Sequence, residues 1–151
     1  MDPLVPPEFE VPTTLVTVRF RLEPLGPQHN DADHAAWTSS IEHISQTPGF
    51  DDRDWPPPAG MSLAENRADL QRHAEDFVRR RGFTYTVLDI ETDDVIGCVY
   101  IYPSDRADHD ADVRSWVCAD RAELDGQLAS TVASWLDGDW PVRRISPGRT
   151  V

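Results

Sequence analysis

The segment "FTYTVLDIETDDVIGCVYIYPSDRADHDADVRSWVC", residues 83–118, holds three runs rich in β-branched and aromatic residues, and it constrains the fold more than any other part of the chain. The polar turn Glu91 to Asp94 joins the first two runs and predicts a hairpin. The third run, "ADVRSWVC", follows the acidic loop "DRADHDAD" and is expected to pair antiparallel with "VIGCVYIY". Earlier in the chain, "LVTVRFRLEPL" sets Val16, Val18, Phe20 and Leu22 against Thr17, Arg19, Arg21 and Glu23. This period-two alternation predicts a first strand with one buried face.

Helices fill the space between that strand and the hairpin. "NDADHAAWTSSIEHISQTPG" offers Asn30 or Asp31 as a cap, places Trp37, Ile41 and Ile44 on one face and stops at Pro48-Gly49. The loop "FDDRDWPPPAGM" follows, its three consecutive prolines denying it ladder hydrogen bonds. Ser62 and Glu65 then form a capping box, with Leu63, Leu70, Ala74, Phe77 and Val78 along one face. Arg79, Arg80 and Arg81 meet the negative helix end, and Gly82 is expected to close it. Residues 1–14 carry four prolines and read as an extended, partly mobile N-terminal arm; residues 15–151 read as a single domain.

Charge and composition narrow the partners. Fourteen basic residues stand against 27 acidic ones, a formal charge of −13, so a polyanion is repelled and nucleic acid is excluded as an expected partner. Every basic residue is arginine, which removes lysine nucleophiles and Schiff bases within this chain. The start "MDPLVPPEFEVP" has neither a basic nor an apolar leader region, and no apolar run approaches membrane length. A soluble, cytoplasmic, acidic protein with no membrane partner is expected. Cys98 and Cys118 are too far apart for a redox or zinc pair and read as reduced residues inside strands.

The stretch "SWVCADRAELDGQLASTVASWL" reads as a strand end running into a helix, a junction where unpaired N–H groups and the helix dipole favour an anion. Asp120 and Glu123 have the spacing of an acidic capping box, so their carboxylates are expected to take those N–H groups and to place negative charge there. Beyond it, "WPVRRIS" supplies a last short strand.

The order strand, helix, helix, three antiparallel strands, helix, short strand resembles the GNAT (GCN5-related) N-acetyltransferases over residues 16–146. "FRLEPL" corresponds to that family's first strand, "DVIGCVYIYP" to its third, and "VRSWVCADRAELDGQLASTVASWL" to its fourth strand and cofactor helix. The resemblance implies an α/β (α+β) fold, a mixed and mostly antiparallel sheet flanked by helices, here without the usual C-terminal helix and two further strands. It also implies acetyl-CoA, whose pyrophosphate the family holds in a Q/R-x-x-G-x-G/A loop. With Arg121 as the first residue the loop reads "RAELDG", with Leu124 in place of one glycine and Gly126 matching the other; with Leu128 on the family's first helix leucine it reads "DRAELD", with Glu123 and Asp125 where glycines belong.

Carried over by resemblance, the cofactor would meet Arg121, Gly126 and the strand around Trp116, Val117 and Cys118, one of whose amides would polarise a thioester carbonyl. Tyr100 and Tyr102 on one strand and Asp112 and Arg114 on the next alternate with apolar neighbours, giving a polar face that can line a cleft. Asp112, or a water held by Tyr100, is the expected base. The acceptor class is a small or peptidyl amine, for which an acidic surface is suited. A GNAT fold without catalysis, serving as a binding or assembly module, is the alternative, and an uncovered last strand together with the apolar arm residues Leu4, Val5, Phe9 and Val11 suggests a homodimer. No metal is expected: the acidic loop 105–112 lacks the EF-hand glycine and glutamate, and His29, Asp33 and His34 read as surface residues. Ser115 lacks the G-x-S-x-G setting of a hydrolase nucleophile.

Overall fold

In a computed structural model, described over residues 4–50, 55–104, 110–142 and 145–147, the three β-rich runs form the centre of one six-stranded sheet. The strands are β1 (Leu15–Val16), β2 (Phe20–Pro24), β3 (Phe83–Asp89), β4 (Val95–Pro103), β5 (Ala111–Val117) and β6 (Ile145–Pro147), side by side in chain order. Pairing is antiparallel from β1 to β5, and β6 joins β5 in parallel. The meander is therefore as expected, with Tyr100 opposite Arg114 and Tyr102 opposite Asp112. Among the described residues β6 pairs with Ala111 to Val113.

Helices α1 (Asn30–Thr38), α2 (Ile41–Gln46) and α3 (Leu63–Val78) cover one face of the sheet, and α4 (Asp125–Asp139) covers the other. One core cluster gathers Trp37, Leu70, Cys98 and Trp116 under α1 and α3; the second gathers Phe83, Tyr85, Leu128, Leu136 and Trp140 under α4. Both cysteines are buried and free. Among the described residues no helix is long and apolar enough to cross a membrane.

Several local expectations are corrected. The alternation from Val16 to Leu22 is broken, because the Thr17 hydroxyl accepts from the Phe20 N–H at 2.9 Å and turns the chain back on itself, leaving Val18 86% exposed. The segment 30–46 is two helices. Thr38 and Ser39 hydroxyls donate back to carbonyls of His34 and Ala36, and Ser40 leaves helical geometry at φ −131°, a local competition with the helix ladder. The Ser62–Glu65 capping box is present in both directions, but α3 ends in a left-handed residue at Arg80 (φ 61°) instead of at Gly82. The described part of the arm packs against the sheet, with Val5 only 2% exposed. Its apolar residues are consumed within the same chain.

Gly97 shows how tightly β4 and β5 approach. A Cβ there would sit 2.4 Å from the Trp116 carbonyl oxygen, a backbone atom that cannot swing away. Gly97→Ala is expected to lower unfolding free energy by about 2 kcal/mol or more through forced backbone displacement. A urea midpoint unchanged from the parent protein would refute this.

Candidate functional site

Between α3 and the β4–β5 ribbon lies a cleft of about 410 Å³. It exists because alternate residues of β4 and β5 face the α3 side, while α3 presents one polar turn toward them. Phe50, Trp55 and Tyr100 form its aromatic wall, with ring centroids 5.9–6.3 Å apart in tilted or edge contacts. Asp69, Arg72 and His73 enter from α3, and Tyr102, Asp112 and Arg114 from the strands. The polar face expected from the alternation is thus brought together. The adjacent acidic loop 105–109 lies outside the described residues.

Tyr100 lines the cleft, and its hydroxyl is engaged by Trp116. The oxygen accepts from Trp116 Nε1 at 3.0 Å, and burial, with Cys98 and Asp33 nearby, pushes its pKa upward. Asp112 is held in a short ion pair with Arg114. His73 was not singled out in the sequence, yet it is the most elaborately held group here. Its Nδ1 lies 3.0 Å from the Tyr102 hydroxyl and 3.0 Å from the Thr84 hydroxyl, and Tyr102 donates its own proton to Asp76 at 2.9 Å. Burial lowers the His73 pKa against the opposing pull of Asp69, which favours the neutral ring. Gly82 makes room for this: a Cβ there would lie 2.1 Å from the Tyr102 ring.

The second half of the site is the β5–α4 junction. The Cys118 N–H donates to Ile96, which by antiparallel alternation directs the Val117 backbone away from β4, toward the β6 side of β5. A 3-10 turn, Ala119–Leu124, then intervenes, and Arg121 inside it is non-helical at φ −122°, ψ 23°. The expected Asp120–Glu123 capping box is consequently not formed: α4 starts at Asp125, and its N-cap, Leu124, makes no side-chain cap. Asp125 is instead bound by His43 at 2.7 Å, and the Ala119 N–H is taken by Ser40 Oγ at 2.8 Å. Arg121 is committed to Asp89 at 2.5 Å. Gly126 faces open space. Trp116 is fully buried beneath the cleft, and Cys118 points its sulfur at the Ala36 carbonyl.

Comparison of the whole architecture with solved structures decides the fold. The ribosomal-protein-S5-alanine acetyltransferase from Vibrio fischeri superposes with a TM-score of 0.69 at 13% identity, over 91% of this chain and 73% of that one. The fold is that of the GNAT N-acetyltransferases. The microcin C7 self-immunity acetyltransferase, solved with acetyl-CoA and AMP, matches at TM-score 0.63 and 14% identity over 87% of this chain and 70% of that one. The ribosomal L7/L12 α-N-protein acetyltransferase RimL, solved with coenzyme A, matches at TM-score 0.61 and 18% identity over 88% and 72%. No family profile matches the chain, and no curated protein matches it in sequence.

Within this fold the junction leaves the first N–H groups of α4 without a side-chain cap and places carboxylates near them. The first turn of α4 has no side-chain cap, and Gly126 is unobstructed. Backbone groups alone therefore fit an anion. Asp120 and Glu123 lie in the 3-10 turn just before it and Asp125 at its start, while Arg121 and His43 already have carboxylate partners.

His29 and Asp33 also depart from the surface role expected of them. His29 is hydrogen-bonded to Glu23, while Asp33 is 4% exposed and accepts from Asn66 at 3.1 Å. His34 Nε2 lies 2.6 Å from the Met61 carbonyl. These three tie α1 to its neighbours and do not line the cleft.

Proposed function

We propose that the chain transfers an acyl group from acyl-CoA to a primary amine bound in the cleft. The observation that carries this reading is position: the cleft wall includes Asp112 and Arg114 of β5, the strand that runs on through Val117 toward the uncapped first turn of α4. Acetyl-CoA, when bound, supplies an electrophilic thioester carbonyl. The groups of this chain suited to hold it are the Val117 backbone and the N–H groups of Gly126 and Gln127 in the first turn of α4. The cleft residues do the rest: the aromatic wall of Phe50, Trp55 and Tyr100 takes the apolar body of the acceptor and attracts its positive charge, and the α3 side offers acidic and basic groups for the amine proton.

A second reading, a GNAT-fold binding module without transfer, is favoured by the three carboxylates around the α4 first turn and by Ser40 occupying the Ala119 N–H. Calorimetric titration with acetyl-CoA separates the two. Each carboxylate beside a phosphate costs on the order of 1 kcal/mol, so a dissociation constant of roughly tens of micromolar or weaker is expected. Submicromolar binding would overturn the charge argument. No heat at about millimolar acetyl-CoA, together with no acylated product by mass spectrometry, would leave the binding module.

A further inference from the structure

The geometry points to His73 Nε2 as the acceptor of the proton from an ammonium group docked in the cleft, with Tyr102 and Asp76 holding the ring for that purpose. This rests on the reading of the cleft as an amine site. The assignment follows from counting protons. Tyr102 has one, and it is donated to Asp76. Toward His73 the Tyr102 oxygen therefore acts only as an acceptor, so Nδ1 carries the ring hydrogen. With that tautomer Thr84 Oγ1, at the same 3.0 Å, is placed to accept from the same N–H.

Nε2 is then left with a lone pair. Asp69 Oδ2 is 3.8 Å from it, beyond hydrogen-bond reach, and among the described residues Nε2 has no hydrogen-bond partner. His73 and Asp69 both line the cleft. Around the ring stand Asp69, Arg72 and Asp76 from α3, Thr84 from β3, and Tyr100 and Tyr102 from β4; the Asp112–Arg114 pair of β5 faces it across the cleft. Asp69 and Asp76 favour an incoming cation, while burial and Arg72 favour the neutral ring beforehand.

The step balances without a further reagent. One N–H bond of the ammonium breaks and its electron pair stays on nitrogen as the attacking lone pair; a new Nε2–H bond forms. The imidazolium so produced donates through Nδ1–H to Tyr102 and returns its extra proton to water at the cleft mouth. Asp76, reached through Tyr102, stabilises the positive ring, so Tyr102 and Asp76 are positioning residues. Asp112 is less suited to the task, since its carboxylate is already paired with Arg114.

Nitrogen NMR on the full chain labelled at its five histidines tests this directly. His73, identified by the signal lost in His73→Gln, should show the Nδ1–H tautomer and titrate below the ordinary histidine range. Benzylamine, but not benzyl alcohol, should shift Nε2. Tyr102→Phe should admit the Nε2–H tautomer. With acetyl-CoA and benzylamine, His73→Gln should lower kcat about 100-fold, leave KM within about threefold and remove the acidic limb of the pH profile. An Nε2–H tautomer in the unaltered protein, an Nε2 signal indifferent to benzylamine, or undiminished transfer by His73→Gln would each overturn the assignment. Should the unaltered protein transfer nothing while the NMR results hold, acyl transfer falls and His73 stands as the proton acceptor of an amine-binding cleft.

Discussion

A chain beginning at Thr13 should lose most of its folding stability. Residues 4–12 look dispensable by composition, yet they close the face of the sheet on which α4 lies. Val5 is buried, Leu4, Phe9 and Val11 pack against the same cluster, and the Phe9 ring lies 5.3 Å from Trp140. Burying such side chains contributes roughly 1–3 kcal/mol each. Two polar ties add to this. Arg80 donates to the Pro6 and Phe9 carbonyls at 2.8 and 2.9 Å, and the Tyr85 hydroxyl donates to the Pro12 carbonyl at 2.6 Å.

Tyr85 is the costlier loss. It is fully buried, and burial pushes its hydroxyl pKa far up, so without Pro12 it keeps an unsatisfied donor, a penalty of about 1–3 kcal/mol. Together the terms reach several kcal/mol, comparable with the whole stability of an ordinary domain. Thermal unfolding followed by circular dichroism should show the shortened chain melting at least about 15 °C lower, or failing to fold. A melting temperature within a few degrees of the parent would mean that the arm's contacts contribute nothing.

Asp33→Asn should stabilise the protein at neutral pH. Asp33 is buried between α1 and α3, and burial pushes its carboxyl pKa up to about 6, against the opposing hydrogen bond from Asn66. Asp69 raises it further, and His29 and His34 lower it. Between the unfolded carboxylate value and about 6, the folded state binds more protons than the unfolded one. Stability from this group is therefore complete at low pH and lost as pH rises toward and past 6. The ionised form costs about 3 kcal/mol at pH 7 by that shift, offset by about 1 kcal/mol if the substituted amide serves Asn66 less well than the carboxylate does.

The net gain is therefore expected near 2 kcal/mol at pH 7.5, falling by about 2 kcal/mol on going to pH 4, where Asp33 is protonated in the folded protein. Urea unfolding of both proteins at the two pH values measures it. A difference independent of pH would show that Asp33 does not titrate in this window. A neutral-pH loss would show that the Asn66 hydrogen bond outweighs the buried charge.

Parts of the fold were legible because their causes are local. The Ser62–Glu65 capping box closes within four residues, and the 83–103 hairpin needs only its own polar turn and two apolar runs. The pairing of "ADVRSWV" with β4 follows from the same alternation, and that alternation also placed Tyr100, Tyr102, Asp112 and Arg114 on one face. The failures have equally local origins. The Thr17 hydroxyl captures the Phe20 N–H, the Thr38 and Ser39 hydroxyls turn back to helix carbonyls, and no hydrophobic period records such a competition.

His73 was out of reach for a different reason. On α3 it occupies a position that an amphipathic pattern assigns to neither face decisively, and its meaning comes from Tyr102, 29 residues away, Thr84, 11 residues away, and the Tyr102–Asp76 bond spanning 26. The β5–α4 junction reverses an expectation in the same way. Asp120 and Glu123 have capping spacing, but the non-helical Arg121 between them, tied to Asp89 at the end of β3, delays the helix to Asp125.

By itself, then, the order of charges, turns and alternating residues determined the meander, the start of α3 with its own capping box, and the acidic character that opposes a phosphate. The tertiary structure decided which hydroxyls intercept the backbone, which carboxylates are buried, and which histidine keeps a bare nitrogen in the cleft. Those outcomes depend on partners brought together only when the sheet closes, and burial then multiplies the energy of each contact that a sequence lists without weighing.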